Sequence, residues 1–203
     1  MANLTRRKRL EPRKLPAQSR STATANAVLE AAARILEQRG FEDYTTNAVA
    51  ERAGVSIGSL YQYFPNKDAV TVALIEREAA VLLADIAGMH SVKGYEAGLD
   101  HMIRSAVAHQ MRRPKLARLL DFEESRLPIC SRTGRVADVF HAALVRVLSQ
   151  PDARTARDVE AAACDVFAIV KGMVDAAGER GETNALQLER RVRRAVFGYL
   201  SVR

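Results

Sequence analysis

Residues 45–68 read TTNAVAERAGVSIGSLYQYFPNKD. A helical pattern ends at Gly54, a second short one follows at once, and two tyrosines and a phenylalanine fall at residues 61, 63 and 64. Counted from Thr46, Val49 and Ala50 are the fourth and fifth positions of a helix-turn-helix. A small fifth residue lets the second helix come close. Gly54 is the ninth, in the corner, where a positive φ is easy only for glycine. Val55 and Leu60 fill the angle between the helices, and Ser56 is placed to cap the second. On a helix from Ile57 to Phe64, Leu60 and Phe64 share the buried side. Ile57, Gly58, Ser59, Tyr61, Gln62 and Tyr63 are then left facing outward. A nearly uncharged surface of Gly, Ser, Gln and Tyr is poorly suited to solvent alone. It suits phosphates and base edges, because each polar group donates or accepts a hydrogen bond. Packing within a small domain is the competing use of both tyrosines.

The whole chain bounds this reading. It has 203 residues, 48% of them apolar, enough for a globular core, and only 5% aromatic. Alanine, leucine, arginine and glutamate abound and long β-branched runs are missing, so an all-α protein is expected. The net charge is +7, and residues 1–20 carry seven basic side chains against the single acid Glu11, a net +6. Such a basic arm suits an anionic polymer, although a solvated tail would look the same.

Apolar periodicity predicts nine helices. The first runs from about Ser21 to Arg39, with Val28, Ala32, Ile35 and Leu36 at helical spacing and Gly40 closing it. The two short helices of the quoted stretch follow. Asn66 caps a longer one, about Lys67–Ala87, whose stripe of Val70, Ala73, Leu74, Val81 and Leu82 is interrupted by Arg77 and Glu78. Further helices are expected near Tyr95–Met111, Lys115–Glu124, Gly134–Ser149, Asp152–Ala177 and Asn184–Leu200, with a loop over Arg126–Arg132. Pro65, Pro114, Pro128 and Pro151 fall between these patterns, where they stop helices at low cost.

The quoted stretch resembles the DNA-binding signature of TetR-family transcriptional regulators. The shared features are a threonine pair, an apolar–Ala step, an A-G-V-S turn, L-Y-x-Y-F and a closing N-K-D; the preceding RGFEDYTT is similar too. The likeness covers about residues 20–75. It implies that Asn47, Ile57, Gly58 and Ser59 meet bases, and that Thr46, Tyr61, Tyr63 and Lys67 grip phosphates. Asparagine can pair bidentately with adenine, whereas Ile57 offers only apolar contact, for instance to a thymine methyl. Ser56, Gln62 and Arg20 complete the expected DNA-binding set, and Arg13 and Lys14 extend it into the arm. The implied organisation is a basic disordered arm (1–19), a three-helix DNA-binding domain (20–66) and a helical regulatory and dimerisation domain (67–203).

Beyond residue 75 the likeness implies a small-molecule effector and a homodimer. The last two helices support the dimer independently, being apolar on more than one side. Val166, Val170, Met173, Val174, Leu188, Val192, Val196 and Tyr199 are the expected interface, and the core of a single chain is the alternative use of the same residues. A twofold dimer would set two reading helices about one DNA turn apart. Met102, Phe122, Phe140 and Phe167 are candidates to line an effector pocket, with plain core again the alternative.

No metal or catalytic constellation stands out. His101 and His109 are eight apart, not three or four. Glu123 and Glu124 are adjacent and point differently around a helix. Neither a phosphate loop nor a nucleophile elbow is found. Cys130 and Cys164 are expected to be inert thiols in a reducing cytoplasm. There is no signal peptide and no run of about 18 apolar residues, so no membrane partner is expected. The function expected is a ligand-responsive repressor, a homodimer reading a palindromic operator on double-stranded DNA, with no cofactor and no enzymatic activity. The rivals are a ligand-independent regulator working with a protein partner, and a helical enzyme that carries the motif.

Overall fold

The computed structural model describes residues 19–127, 130–153 and 158–201. Among them are nine α-helices and one short 3-10 turn, with no strand. The helices are α1 (Ser19–Arg39), α2 (Thr46–Ala53), α3 (Ile57–Tyr63), α4 (Lys67–Ala87), α5 (Tyr95–Arg112), α6 (Pro114–Arg126), α7 (Cys130–Leu148), α8 (Val159–Glu179) and α9 (Ala185–Ser201). The all-α expectation holds. The chain forms two compact units: Met1–Arg77 with Leu119–Pro128, and Glu78–Arg118 with Ile129–Arg203.

In the first unit, α1 buries Val28, Ala32, Ile35 and Leu36, the stripe its spacing predicted. Gly40 takes φ +70° and closes it, its N–H donating to the Leu36 carbonyl at 2.9 Å. α1 packs on α2 and α3. Asn66 caps α4 as expected, its Oδ1 accepting from the Ala69 N–H at 2.9 Å. Asp68 and Glu123 are both buried here, which requires a counter-charge. Arg126 supplies it, bonding Glu123 and reaching Asp68 at 3.4 Å. Glu123 is therefore held in an ion pair. Phe122, expected to line a pocket, is instead 63% exposed in this unit, its ring 6.5 Å from that of Phe41. It lies one residue before buried Glu123, about 100° around α6 from it.

The second unit is built on one apolar core that α5, α7, α8 and α9 share with the end of α4. Val70, Leu74 and Leu82 of α4 are buried as expected, but Val81 is 40% exposed. The buried row runs at four-residue intervals through 74, 78 and 82, and Val81 falls about 100° off it. Glu78 lies on that row because Arg112 of α5 meets its carboxylate at 2.6 Å.

Three expected boundaries move. Pro114 opens α6 as its first residue, where its missing N–H costs nothing. α7 begins at Cys130, so the expected loop to Arg132 is partly helix. α8 starts at Val159, not Asp152, with Asp158 accepting from the Ala161 N–H at 3.0 Å. The side chains before it are committed to the start of α5. Asp152 accepts from the Tyr95 N–H at 3.0 Å, and Gln150 from the Gly94 N–H at 2.9 Å. A carboxylate that satisfies free N–H groups at one helix end is not available to begin another.

The residues expected at the interface lie mostly inside the single chain. Val166, Val170, Val174, Leu188, Val192 and Val196 are all buried in the core of their own chain. Met173 is half-buried against the same core, and Tyr199 alone stays exposed, its hydroxyl donating to Asp165. Met102 and Phe140 are likewise core residues, and Phe167 is half-buried with its ring 5.4 Å from that of Phe140. No helix among the described residues is long and apolar enough to cross a membrane.

Candidate nucleic-acid interface

The corner between α2 and α3 is made by its backbone. Gly54 adopts φ +69° and ψ +29°, and its N–H donates to the Glu51 carbonyl at 3.1 Å. The Val55 N–H reaches back to the Ala50 carbonyl at 3.0 Å. These two bonds satisfy carbonyls left open by the helix end, and they require the left-handed conformation that glycine takes at least cost. Thr45 begins α2, its side chain accepting from the Ala48 N–H at 3.1 Å. That cap was not singled out in the sequence, although a threonine just before an apolar-periodic run is a recognised start signal. Ser56 begins α3 as expected, accepting from the Ser59 N–H at 3.1 Å.

The faces separate as the spacing predicted. Val49, Ala50, Leu60 and Phe64 are buried. Asn47, Ser56, Ile57, Gly58, Tyr61, Gln62 and Lys67 are exposed, and Thr46, Ser59 and Tyr63 are partly so. Within this set the hydroxyls are already organised. Thr46 Oγ1 and the Tyr61 hydroxyl lie 3.1 Å apart, tying the first turn of α2 to the middle of α3. Ser56 and Ser59 share a bond of 2.8 Å between their hydroxyls, so both are engaged in the cap of α3. Tyr63 rests beside Phe64, ring centroids 6.4 Å apart.

Lys67 stands where α4 begins, its ammonium 5.6 Å from the Tyr44 ring centroid. Tyr44 was not anticipated and is a keystone. It is fully buried, and its hydroxyl pairs with Thr71 at 3.1 Å. Burial pushes its phenol well above the ordinary range. A buried neutral ring carrying one satisfied hydroxyl holds the lysine side chain over its face.

Gly58 has no internal reason to be glycine. A Cβ added there would have the Ser56 hydroxyl, 3.9 Å away, as its nearest neighbour outside its own backbone surroundings. The side chain of Arg20 and the whole basic arm, Arg13 and Lys14 included, lie outside the described residues, as does the side chain of Cys130. No group of three His, Cys, Asp or Glu side chains among the described residues is arranged to hold a metal.

Comparison with known proteins places this geometry. A family model described as bacterial regulatory proteins, tetR family, matches residues 28–74. A second, described as tetracyclin repressor-like, C-terminal domain, matches residues 96–200. The chain is 30% identical over 126 residues to the nucleoid occlusion factor SlmA of Haemophilus influenzae, covering 59% of this chain and 57% of that protein's length. It is 26% identical over 167 residues to the HTH-type transcriptional regulator UidR of Escherichia coli, covering 71% and 85%. A TetR transcription regulator structure from Haloarcula marismortui superposes with TM-score 0.74 at 18% identity, covering 88% and 97%.

Proposed function

The chain belongs to the tetR family of bacterial regulatory proteins, and from that premise we propose that it is a sequence-specific, DNA-binding transcription regulator. It acts as a homodimer on a palindromic operator, and a small-molecule effector releases it, so that it represses. The observation that carries this reading is the outward face of α3. A helix whose buried side is only Leu60, and whose open side is Ile57, Gly58, Tyr61 and Gln62, offers a surface for a groove and little for solvent.

Asn47 and Ile57 read bases, and Gly58 admits the groove wall. The joined Thr46–Tyr61 hydroxyls, with Lys67, hold phosphates. Residues 20–66 form the reading domain, residues 67–203 the regulatory and dimerising part, and residues 1–19 a basic arm along the duplex. The dimer uses the outer faces of the last two helices, where Ala161, Ala168 and Gly172 of α8 and Tyr199 of α9 remain exposed. Small residues at such positions let helices approach closely. The effector sits in the second unit beside Phe167, the one half-buried ring among the candidates. It acts by favouring a spacing of the two reading helices that misses the operator.

Selection of bound DNA from a random pool, at about 150 mM salt because salt governs the non-specific background, tests this directly. A palindromic motif is expected. Asn47→Ala should relax the preference at one base pair per half-site, a change of about 1–3 kcal/mol. An unenriched pool would sink the autonomous regulator and leave the fold untouched.

A further inference from the structure

Two acids and two bases meet where α4 begins. Lys67 and Asp68 are its first two residues, one exposed and one buried. Glu123 is buried in the same unit, and Arg126 stands about one turn further along α6. Both carboxylates go to the arginine. Its Nε lies 3.0 Å and 3.1 Å from the two oxygens of Glu123, and its Nη2 lies 3.4 Å from Asp68 Oδ1. A planar guanidinium with several N–H groups serves two carboxylates at once, which a single ammonium does less well. Lys67 is turned elsewhere, its ammonium 5.6 Å from the Tyr44 ring centroid. The backbone secures that ring. The Thr71 hydroxyl donates to the Lys67 carbonyl at 3.1 Å, which spends its one proton. Tyr44 is therefore the donor in its own 3.1 Å bond with Thr71. The acids act on this place too: burial raises the Tyr44 phenol most, and the charges of Glu123 and Asp68 add to it.

We infer that Arg126 is a positioning residue for DNA binding: by occupying Asp68 and Glu123, it leaves Lys67 to reach a phosphate. The inference rests on the reading of Lys67 as a phosphate contact. Buried carboxylates that lose their partner carry a large desolvation cost. Lys67 is bonded in the chain to Asp68 and carries its charge on a flexible four-carbon stem, so it is a ready replacement. Without the arginine the acids draw the lysine inward. An ammonium paired inside the protein neutralises no phosphate and releases no counterion from DNA. The guanidinium on α6 thus decides what the ammonium on α4 does, without touching DNA itself.

Mixed-sequence duplex DNA is the probe, because phosphate contacts do not depend on sequence and no operator need be known. The affinity of the full-length protein is measured from about 50 to 200 mM salt. Lys67→Ala should lower the slope of log affinity against log salt by about one unit. Arg126→Met should lower it by the same amount, and weaken binding about fivefold at about 150 mM salt. The two changes together should lower it no further. Arg126→Met/Asp68→Asn/Glu123→Gln should recover the wild-type slope, since no acid then draws Lys67 away. That recovery separates positioning from a phosphate contact made by Arg126 itself, which would stay lost. A folded Arg126→Met protein with the wild-type slope overturns the inference, and so does a folded triple variant without recovery. A wild-type slope in Lys67→Ala removes the phosphate contact itself, and the positioning with it. If circular dichroism shows that Arg126→Met does not fold, Arg126→Met/Glu123→Gln takes its place with the same expected slope, because it removes the buried pair together.

Discussion

Gly58 and Gly178 both sit inside helices, and they are glycines for opposite reasons. At Gly58, in α3, an added Cβ would meet nothing closer than 3.9 Å. At Gly178, near the end of α8, it would fall 2.1 Å from the amide nitrogen of buried Gln110. The first absence of a side chain leaves room for something outside the molecule. The second leaves room for the molecule itself. The apolar residues divide the same way. α3 spends one leucine on the interior and keeps Ile57 on the surface, whereas α8 and α9 turn their valines and Leu188 into their own core. In the first unit the exposed residues are those the fold can spare. In the second, a helix's apolar richness is consumed by internal packing before any partner is met.

The comparison breaks most visibly at Leu188. If it belongs to the chain's own core, Leu188→Ala should cost about 2–5 kcal/mol in urea unfolding, through lost burial and the cavity left behind. An interface residue would instead weaken self-association, and sedimentation equilibrium would show the dissociation constant rising while the monomer stayed folded. Gly178→Ala should follow at about 1–3 kcal/mol, the cost of overpacking a filled site. Replacing Gln110 by alanine in the same protein should recover most of that loss, and a double-mutant cycle measures it. Gly58→Ala should run against both. Thermal melting should show no loss, or a gain of up to about 1 kcal/mol from better helix propensity. Operator affinity should nevertheless fall at least about tenfold, some 1.4 kcal/mol. Unchanged binding by a folded Gly58→Ala protein would remove this residue from the interface. The smallest effect is expected at Lys67→Ala. It should lower the salt dependence of binding by about one unit of slope for all sequences. It should cost the fold at most about 1 kcal/mol, from the contact with Tyr44.

Much of the first unit was legible because its constraints are local. Gly54, Ser56, Leu60 and Phe64 lie within eleven consecutive residues, and each has one physical job that its neighbours define: corner, cap, buried face. Asn66 was legible for the same reason. Thr45 was within reach of the same cap rule. Tyr44 was not, because its role depends on Thr71, 27 residues later, and on Lys67 lying over its ring. The start of α8 was misplaced because Asp152 looks like a helix opener in its own context. Only folding reveals that it satisfies the N–H of Tyr95, 57 residues away.

By itself, the sequence determined that the chain is helical, where most helices lie, and which residues of α3 face in and which face out. Periodicity and capping act over one or two turns, so the chain carries them wherever it goes. Tertiary structure alone decided which apolar side of α8 and α9 serves the core, and which acids find Arg126 and Arg112. Those outcomes depend on pairing residues far apart in the chain, and a helix with apolar residues on several sides does not say which side its own fold will cover.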